Sequence, residues 1–196
     1  MSKFSFYFGC MGSGKSLDLI RTAYNYKERG LKVRVFKPRI DTREGSDKCI
    51  IKTRVGLTLD AEWLDEGPNS IRYNFVVKMG KGDEKPDIIL IDEAQFLSKQ
   101  TIKMLKKASI MTGIPYIFYG LKTDFQGNLF EGTAALMSYS EKISELVTMC
   151  SCGKLARQNA RVVNGKIIRD GEQVAIEGET QYVALCNACY MTKEEI

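Results

Sequence analysis

Gly9-Cys10-Met11-Gly12-Ser13-Gly14-Lys15-Ser16 is the stretch whose reading decides the fold. It fits G-x-x-x-x-G-K-(S/T), the phosphate-cradling P-loop. Its glycines let successive backbone N–H groups turn towards a phosphate, because no Cβ blocks the approach. Lys15 then reaches the β- and γ-phosphates of a nucleotide, and the Ser16 hydroxyl takes a position on Mg²⁺. The flanks agree. Lys3 to Phe8 alternates Phe4, Phe6 and Phe8 with smaller or polar residues, as a strand does. Leu17 to Arg29 reads as a helix, whose N-terminus also faces the phosphate. The pattern predicts Leu17, Ile20 and Tyr24 on the buried face of that helix, with Gly30 ending it.

Outward from the loop, a second strand over Lys32 to Lys37 completes a βαβ unit, so the sheet is predicted to be at least partly parallel. Pro38 to about Gly56 is polar and turn-rich and reads as a mobile connection; it contains Asp41-Thr42-Arg43. Asp87-Ile88-Ile89-Leu90-Ile91-Asp92-Glu93 reads as a strand buried on both faces that ends in two carboxylates. Ser98 is placed to cap a helix running to Thr112. Tyr116 to Tyr119 is another short buried strand, and the loop after it, Gly120 to Gly127, falls at the ligand edge of an open α/β sheet. Thr133 to Tyr139 reads as a short helix and Ile143 to Met149 as a strand. From Cys150 the texture changes to short β segments punctuated by Asn164-Gly165 and Asp170-Gly171, both hairpin signals.

Composition narrows the chemistry. The chain has 196 residues, enough for one α/β domain and a small appendage. A net charge of +5 is mild, and no dense basic stripe calls for nucleic acid. No apolar run is long enough to span a membrane and no signal peptide is evident, so the expectation is a cytoplasmic protein without a membrane partner. There is no histidine. Ser-His-Asp and Cys-His catalysis are thereby excluded, and any general base must be a carboxylate, Lys, Tyr or Cys.

Asp92 and Glu93 occupy the Walker B position. Asp92 is placed to hold Mg²⁺ directly or through water, and Glu93 to orient or deprotonate a nucleophile near the γ-phosphate. Cys150-x-Cys152 and Cys186-x-x-Cys189 supply four thiols from two knuckles, the ligand set of a closed structural zinc site; reduced thiols or a redox pair are the alternatives. Arg43 and Arg161 are candidates to pair with a transferring phosphoryl group, against the plainer reading of surface arginines. Phe96, Phe125, Phe130 and Tyr182 lie past strands or in loops and could wall a pocket for a flat ring, or simply pack the core.

Taken together, these motifs resemble the thymidine kinases of the cytosolic, zinc-containing type II family. The P-loop with Met11, Asp41-Thr42-Arg43, Asp92-Glu93-Ala94-Gln95-Phe96, Leu121 with Phe125-Gln126, Cys152-Gly153 with Ala156 and Arg161, then Gly178, Tyr182 and Cys186–Cys189 follow the family's order nearly end to end. The first knuckle is C-x-C where the family usually has C-x-x-C. Thr180 and Lys122 stand where acidic residues are common.

The resemblance implies a P-loop NTPase (RecA-like) α/β fold over residues 1–149, mostly a parallel sheet flanked by helices. A small zinc-binding lasso domain over 150–196 would close over the substrate. It implies transfer of the γ-phosphoryl of ATP to the 5′-hydroxyl of thymidine, with deoxyuridine usually accepted. Glu93 would be the base, with Lys15, Arg43 and Arg161 assisting at the phosphoryl group. Gly9, Cys10, Met11, Gly12, Ser13, Gly14, Lys15, Ser16, Asp92 and Gln95 would hold ATP and Mg²⁺. Met11, Phe96, Leu121, Phe125, Phe130 and Tyr182 would line the nucleoside pocket, with backbone contacts to the base from Ile176, Glu177 and Gly178. Cys150, Cys152, Cys186 and Cys189 would bind zinc. A homotetramer and feedback inhibition by dTTP are further implications. Two rivals are a nucleic-acid-stimulated P-loop ATPase with a zinc ribbon and a nucleotide-binding regulatory module. Intact Lys15, Ser16, Asp92 and Glu93 speak against the second.

Overall fold

The computed structural model describes residues 4–40, 48–72, 75, 85–173 and 180–196. In chain order the elements are β1 (Phe4–Phe8), α1 (Lys15–Lys27), β2 (Val33–Pro38), β3 (Ile50–Lys52), β4 (Thr58–Asp60), β5 (Glu62–Leu64) and α2 (Pro68–Arg72). Then follow β6 (Ile88–Ile91), a 3-10 turn (Ala94–Phe96), α3 (Lys99–Thr112), β7 (Tyr116–Gly120), α4 (Glu131–Tyr139) and β8 (Lys142–Glu145). The C-terminal segment gives β9 (Gln158–Val163), β10 (Lys166–Ile168), β11 (Thr180–Leu185) and α5 (Asn187–Thr192).

Six strands form one sheet in the order β5-β2-β6-β7-β1-β8, and every pairing in it is parallel. The four aliphatic residues of β6 explain the layering. Ile89 and Ile91 pack into one core with Phe4, Phe6, Phe118 and residues of α3 and α4. Ile88 and Leu90 pack into a second core with Leu19 and Ala23 of α1. All four are fully buried, and each contributes ~1.5–3 kcal/mol of hydrophobic stabilisation. Because the ladders are parallel, the C-terminal ends of β1, β6 and β7 open onto one edge. The P-loop, Asp92 and Leu121 emerge there together.

The buried face of α1 differs from the sequence expectation. Leu17 and Tyr24 are 43% and 61% exposed, and the helix turns Lys15, Leu19 and Ala23 inward instead. The P-loop fixes the phase of the helix. Lys15 must face the loop, so residues four and eight positions later share its face. Ser98 caps α3 as expected, its Oγ accepting from the Thr101 N–H. The strand expected over 143–149 is shorter, spanning Lys142–Glu145. The polar stretch read as a mobile connection also contains more order than expected. Beyond residue 47 it holds an antiparallel hairpin, β3–β4.

The C-terminal strands form a separate antiparallel sheet, β10-β9-β11. Asn164-Gly165 makes the β9–β10 turn with Asn164 at φ 50°, as the hairpin signal implies. Asp170-Gly171 closes no hairpin among the described residues; it follows the end of β10. This sheet has its own cluster of buried residues, with Ala156, Ala160, Val162, Leu185 and Tyr190 at its centre. It is tied to the large sheet by the Tyr190 hydroxyl, which donates to the Phe125 carbonyl at 2.6 Å. No helix among the described residues is long and apolar enough to cross a membrane.

Candidate active site

Gly12 and Gly14 take φ of 75° and 80°, the left-handed region where a Cβ would be strained. These two reversals wrap the P-loop around the start of α1. The Lys15 ammonium is buried and donates to the carbonyls of Gly9 and Cys10 at 3.1 and 2.9 Å. A Cβ on Gly9 would fall 2.2 Å from the Leu146 carbonyl, so the loop sits hard against the end of β8. Burial foremost pushes the Cys10 thiol up, with Lys15 opposing.

Ser16 Oγ donates to Asp92 Oδ2 at 3.1 Å, joining the P-loop to the end of β6. Asp92 is buried, and burial together with the neighbouring Glu93 carboxylate pushes it up to about 7. The Glu93 N–H, donating to Asp92 Oδ1 at 3.0 Å, pulls in the opposite direction, as do Lys15 and Ser16. A buried carboxylate beside a hydroxyl, both oxygen donors, suits a hard divalent cation such as Mg²⁺.

Glu93 itself sits at φ 49°, ψ 34°, a sparsely populated conformation for a side-chain-bearing residue. Its position is enforced by a relay. Leu121 N–H donates to Gln95 Oε1 at 3.0 Å, and Gln95 Nε2 donates to Glu93 Oε2 at 2.6 Å. Gly120 makes room for this relay, since a Cβ there would lie 2.8 Å from Gln95 Oε1. The end of β7 thus sets where the Glu93 carboxylate points.

Two cavities open at this edge. One, of about 600 Å³, is lined by Lys15, Ser16, Lys37, Asp92 and the β3–β4 hairpin. The other, of about 750 Å³, is walled by Met11, Phe96, Leu121, Phe125, Phe130 and Tyr182. Phe96 and Phe130 meet edge to face there, with centroids 5.8 Å apart. Met11, Gly12, Arg54 and Glu93 line both cavities. A phosphate-binding space and an aromatic-walled space therefore share one carboxylate at their junction, the arrangement that a group transfer between two bound molecules requires.

The four cysteines of the C-terminal segment converge. Their sulfurs all lie within 4.8 Å of one another, and Cys152 Sγ and Cys186 Sγ are 3.6 Å apart. Tetrahedral coordination at a Zn–S distance of ~2.3 Å needs sulfurs ~3.8 Å apart, so the set fits zinc. The C-x-C knuckle closes by a tight turn, with Gly153 N–H donating to the Cys150 carbonyl at 2.9 Å. The N–H groups of Cys152 and Cys186 hold the Cys150 thiol down to about 6. The Cys189 N–H lowers Cys186, while hydrogen bonding to Cys152 and Cys186 pushes Cys189 up to about 12. Thiolate character built in by backbone donors is what a metal ligand needs.

The sequence profile of the thymidine kinase family matches residues 2–190. The chain belongs to the thymidine kinase family. Three curated proteins named thymidine kinase match almost end to end. That of Colwellia psychrerythraea is 40% identical over 96% of this chain and 96% of its own length. That of Coxiella burnetii is 39% identical over 95% and 93%, and that of Rhodopirellula baltica 38% identical over 95% and 86%. Among solved structures, the Pif1 helicase of Candida albicans superposes with a TM-score of 0.48 at 15% identity, over 73% of this chain and 36% of that one.

In this member of the thymidine kinase family, Met11, Gly12, Gly14, Lys15, Ser16 and Asp92 come together with Glu93 as the sequence suggests. Gly9, Cys10 and Ser13 shape the loop from behind and do not line the cavity. Gln95, grouped by resemblance with the ATP and Mg²⁺ residues, is buried along the aromatic cavity, where its amide is engaged by Glu93 and Leu121. Arg161 lines neither cavity. Its guanidinium lies over the Phe125 ring, 5.5 Å from the centroid, on the same face of β9 as Asn159. Arg43, Ile176, Glu177 and Gly178 lie outside the described residues.

Three site residues escaped the sequence reading. Arg54 stands at the tip of the β3–β4 hairpin. A turn signal, Val55-Gly56 between two apolar runs, marked the place. Asn159 is buried in β9 and accepts from the Met11 N–H at 2.8 Å; no sequence pattern announces that contact. Asp124 is buried and organises the loop after β7, accepting from the N–H groups of Gln126 and Asn128 and from Gln173 Nε2. Asp124-Phe125-Gln126-Gly127-Asn128, an Asp at the start of a Gly- and Asn-containing turn, carries the signature of such a side-chain-capped turn.

Proposed function

We propose that this chain transfers the γ-phosphoryl group of ATP to the 5′-hydroxyl of thymidine, giving thymidine 5′-monophosphate. The single observation that carries the reading is Glu93 at the junction of the phosphate cavity and the aromatic cavity. ATP phosphates would lie along the P-loop N–H groups and Lys15. The thymine ring would occupy the space between Met11, Phe96, Leu121, Phe125, Phe130 and Tyr182, with the sugar's 5′-carbon towards Glu93. Glu93, aimed by Gln95, takes the 5′-hydroxyl proton as the oxygen attacks the γ-phosphorus. Ser16 and Asp92 would hold Mg²⁺, which when bound neutralises charge on the phosphate oxygens. The aromatic walls exclude water, which would otherwise compete as acceptor.

The remaining assignments extend this reading. We place the boundary between an ATP-binding domain, 1–149, and a zinc-binding lasso domain, 150–196, where the separate C-terminal cluster begins. Zinc at the four cysteines is structural, because a closed four-sulfur shell leaves no position for substrate. Deoxyuridine, lacking only the methyl group, fits the same cavity. dTTP would inhibit by filling the nucleoside cavity and extending its phosphates past Glu93 into the other. A cytoplasmic homotetramer is the proposed state, supported by exposed Leu17 and Tyr24 on α1 and by β5 and β8, the edges of the large sheet among the described residues. Family membership disfavours the nucleic-acid-stimulated ATPase.

The test is to incubate the protein with Mg·ATP and each nucleoside in turn and to follow monophosphate formation. Thymidine is expected to react and purine nucleosides to remain unchanged. ATP hydrolysis stimulated by nucleic acid, without any nucleoside product, would replace the kinase reading with the ATPase.

A further inference from the structure

We propose that Arg54 is a catalytic residue, the guanidinium that grips the phosphoryl group in transit, presented by the β3–β4 hairpin as an arm over the P-loop. The inference rests on the kinase reading given above and adds to it a group that neither the P-loop nor the Walker B carboxylates supply.

Four observations carry it. The first is place: Arg54 is one of the few residues that line both cavities, with Met11, Gly12 and Glu93. A Cβ built on Gly12 would stand 3.3 Å from Arg54 Nη1 and 3.8 Å from its Cζ, so the guanidinium rests directly on the loop that cradles phosphate.

The second is charge. Among the described residues, the charged side chains lining the phosphate cavity are Lys15, Lys37, Lys52 and Arg54 with Asp92 and Glu93. No carboxylate among the described residues pairs with Arg54. Cations gathered on one wall attract an anion of several charges.

The third is construction. Arg54 follows Thr53, which is buried and locks the tip: Thr53 N–H donates to the Leu57 carbonyl and Leu57 N–H to Thr53 Oγ1, both at 2.9 Å. Ile51, two residues earlier in register with Leu59, is buried in the core beneath α1. The arm is therefore anchored at its root and shaped at its tip, leaving the guanidinium as the part that reaches out.

The fourth is the shape of the group. Arg54 brings a planar fork, suited to two phosphoryl oxygens at once, to the junction itself.

In the step this serves, an O5′ lone pair forms the new bond to the γ-phosphorus and the hydroxyl proton passes to Glu93. The bond from that phosphorus to the β,γ-bridging oxygen breaks, and its electron pair leaves on ADP. Arg54 pairs with the non-bridging oxygens, where charge is spread as the group moves between oxygens.

The experiment compares wild type, Arg54→Ala and Arg54→Lys in thymidine monophosphate formation, with kcat and both KM values, melting temperature and rescue by free guanidinium ion. Arg54 is exposed, so both variants fold. Arg54→Ala is expected to lower kcat by roughly 10²-fold or more. Both KM values should stay within about threefold, melting should not move, and guanidinium should restore part of kcat. Arg54→Lys, lacking the fork, is expected to recover only part. Unchanged kcat, or a raised KM for ATP with normal kcat, overturns the assignment, the latter because it shows uniform binding rather than grip in transit. A wild-type protein that makes no monophosphate fails at the kinase reading, before Arg54 is tested.

Discussion

The two cavities that meet at Glu93 are made of different materials. The phosphate cavity sets one contiguous loop between β1 and α1, shaped by reversals at Gly12 and Gly14, against the β3–β4 hairpin and the end of β6. The nucleoside cavity is made of side chains from stretches scattered between Met11 and Tyr182, including the small C-terminal sheet. The first needs the large parallel sheet and the short β3–β4 hairpin packed beside α1. The second needs two sheets held together, and one of those depends on four cysteines for its knuckle. Binding of the donor and binding of the acceptor should therefore fail separately, while the chemistry at their shared wall should fail alone.

The largest effect is expected at that wall. Glu93→Gln should lower turnover by roughly 10²–10⁴-fold while leaving both KM values near normal, measured as thymidine monophosphate formed. A KM for one substrate that rises as far as turnover falls would make Glu93 a binding residue of that cavity alone. Next, Cys186→Ser should release bound metal and lower the melting temperature, since metal-binding energy is folding energy in so small a segment. Thymidine affinity should collapse while ATP binding persists, and equal loss of both would erase the contrast. Metal content, melting and isothermal titration read the three parts.

A smaller effect is expected where the two cavities are coupled mechanically. Gly120→Ala places a methyl 2.8 Å from Gln95 Oε1, which must shift and release Glu93 from its relay. The expected cost is about 1–3 kcal/mol of stability with a fall in kcat, read by denaturant unfolding and turnover. The smallest is electrostatic. Asp92, raised to about 7, holds a proton in the folded protein that the unfolded chain has already released. In magnesium-free protein, stability therefore falls as pH rises from about 4 to 7, and the cost is complete above the folded value. Asp92→Asn removes that cost and should raise melting at pH 8 by a few degrees, with no gain at pH 4; an equal gain at both values would locate the effect elsewhere than in the carboxylate.

The same contrast governs what could be read from the sequence. The phosphate cavity was legible because one contiguous motif and one strand ending in Asp92-Glu93 carry it. The cysteine cluster was legible because paired thiols have few other uses in this setting. Phe96, Phe125, Phe130 and Tyr182 were named from their places past strands as pocket or core, and resemblance chose between the two and added Met11 and Leu121, since no periodicity distinguishes a pocket phenylalanine such as Phe130 from a core one such as Phe118. The stacking of Arg161 on Phe125, a wall residue of the aromatic cavity, also lay beyond the sequence, which gives residue type and rough location but not the partner a long side chain chooses. The buried face of α1 was misjudged because an apolar count favoured Leu17 and Tyr24, while the P-loop had already fixed the helix phase through Lys15. Arg54 was missed because a short hairpin in a polar stretch leaves only a weak turn signal.

The hydrogen bond from Met11 N–H to Asn159 bears on how this protein can be re-engineered. It fastens a strand of the small sheet to the loop that opens the large one, across 148 positions of sequence. The C-terminal segment is thus not an interchangeable cassette. A chimaera that imports a foreign lid with an apolar residue at position 159 leaves that amide without its acceptor, a loss of ~1–3 kcal/mol. It also frees Met11, the one side chain that must serve both cavities from the loop between them. Grafts that keep an acceptor at this position preserve the seam between the loop and the lid.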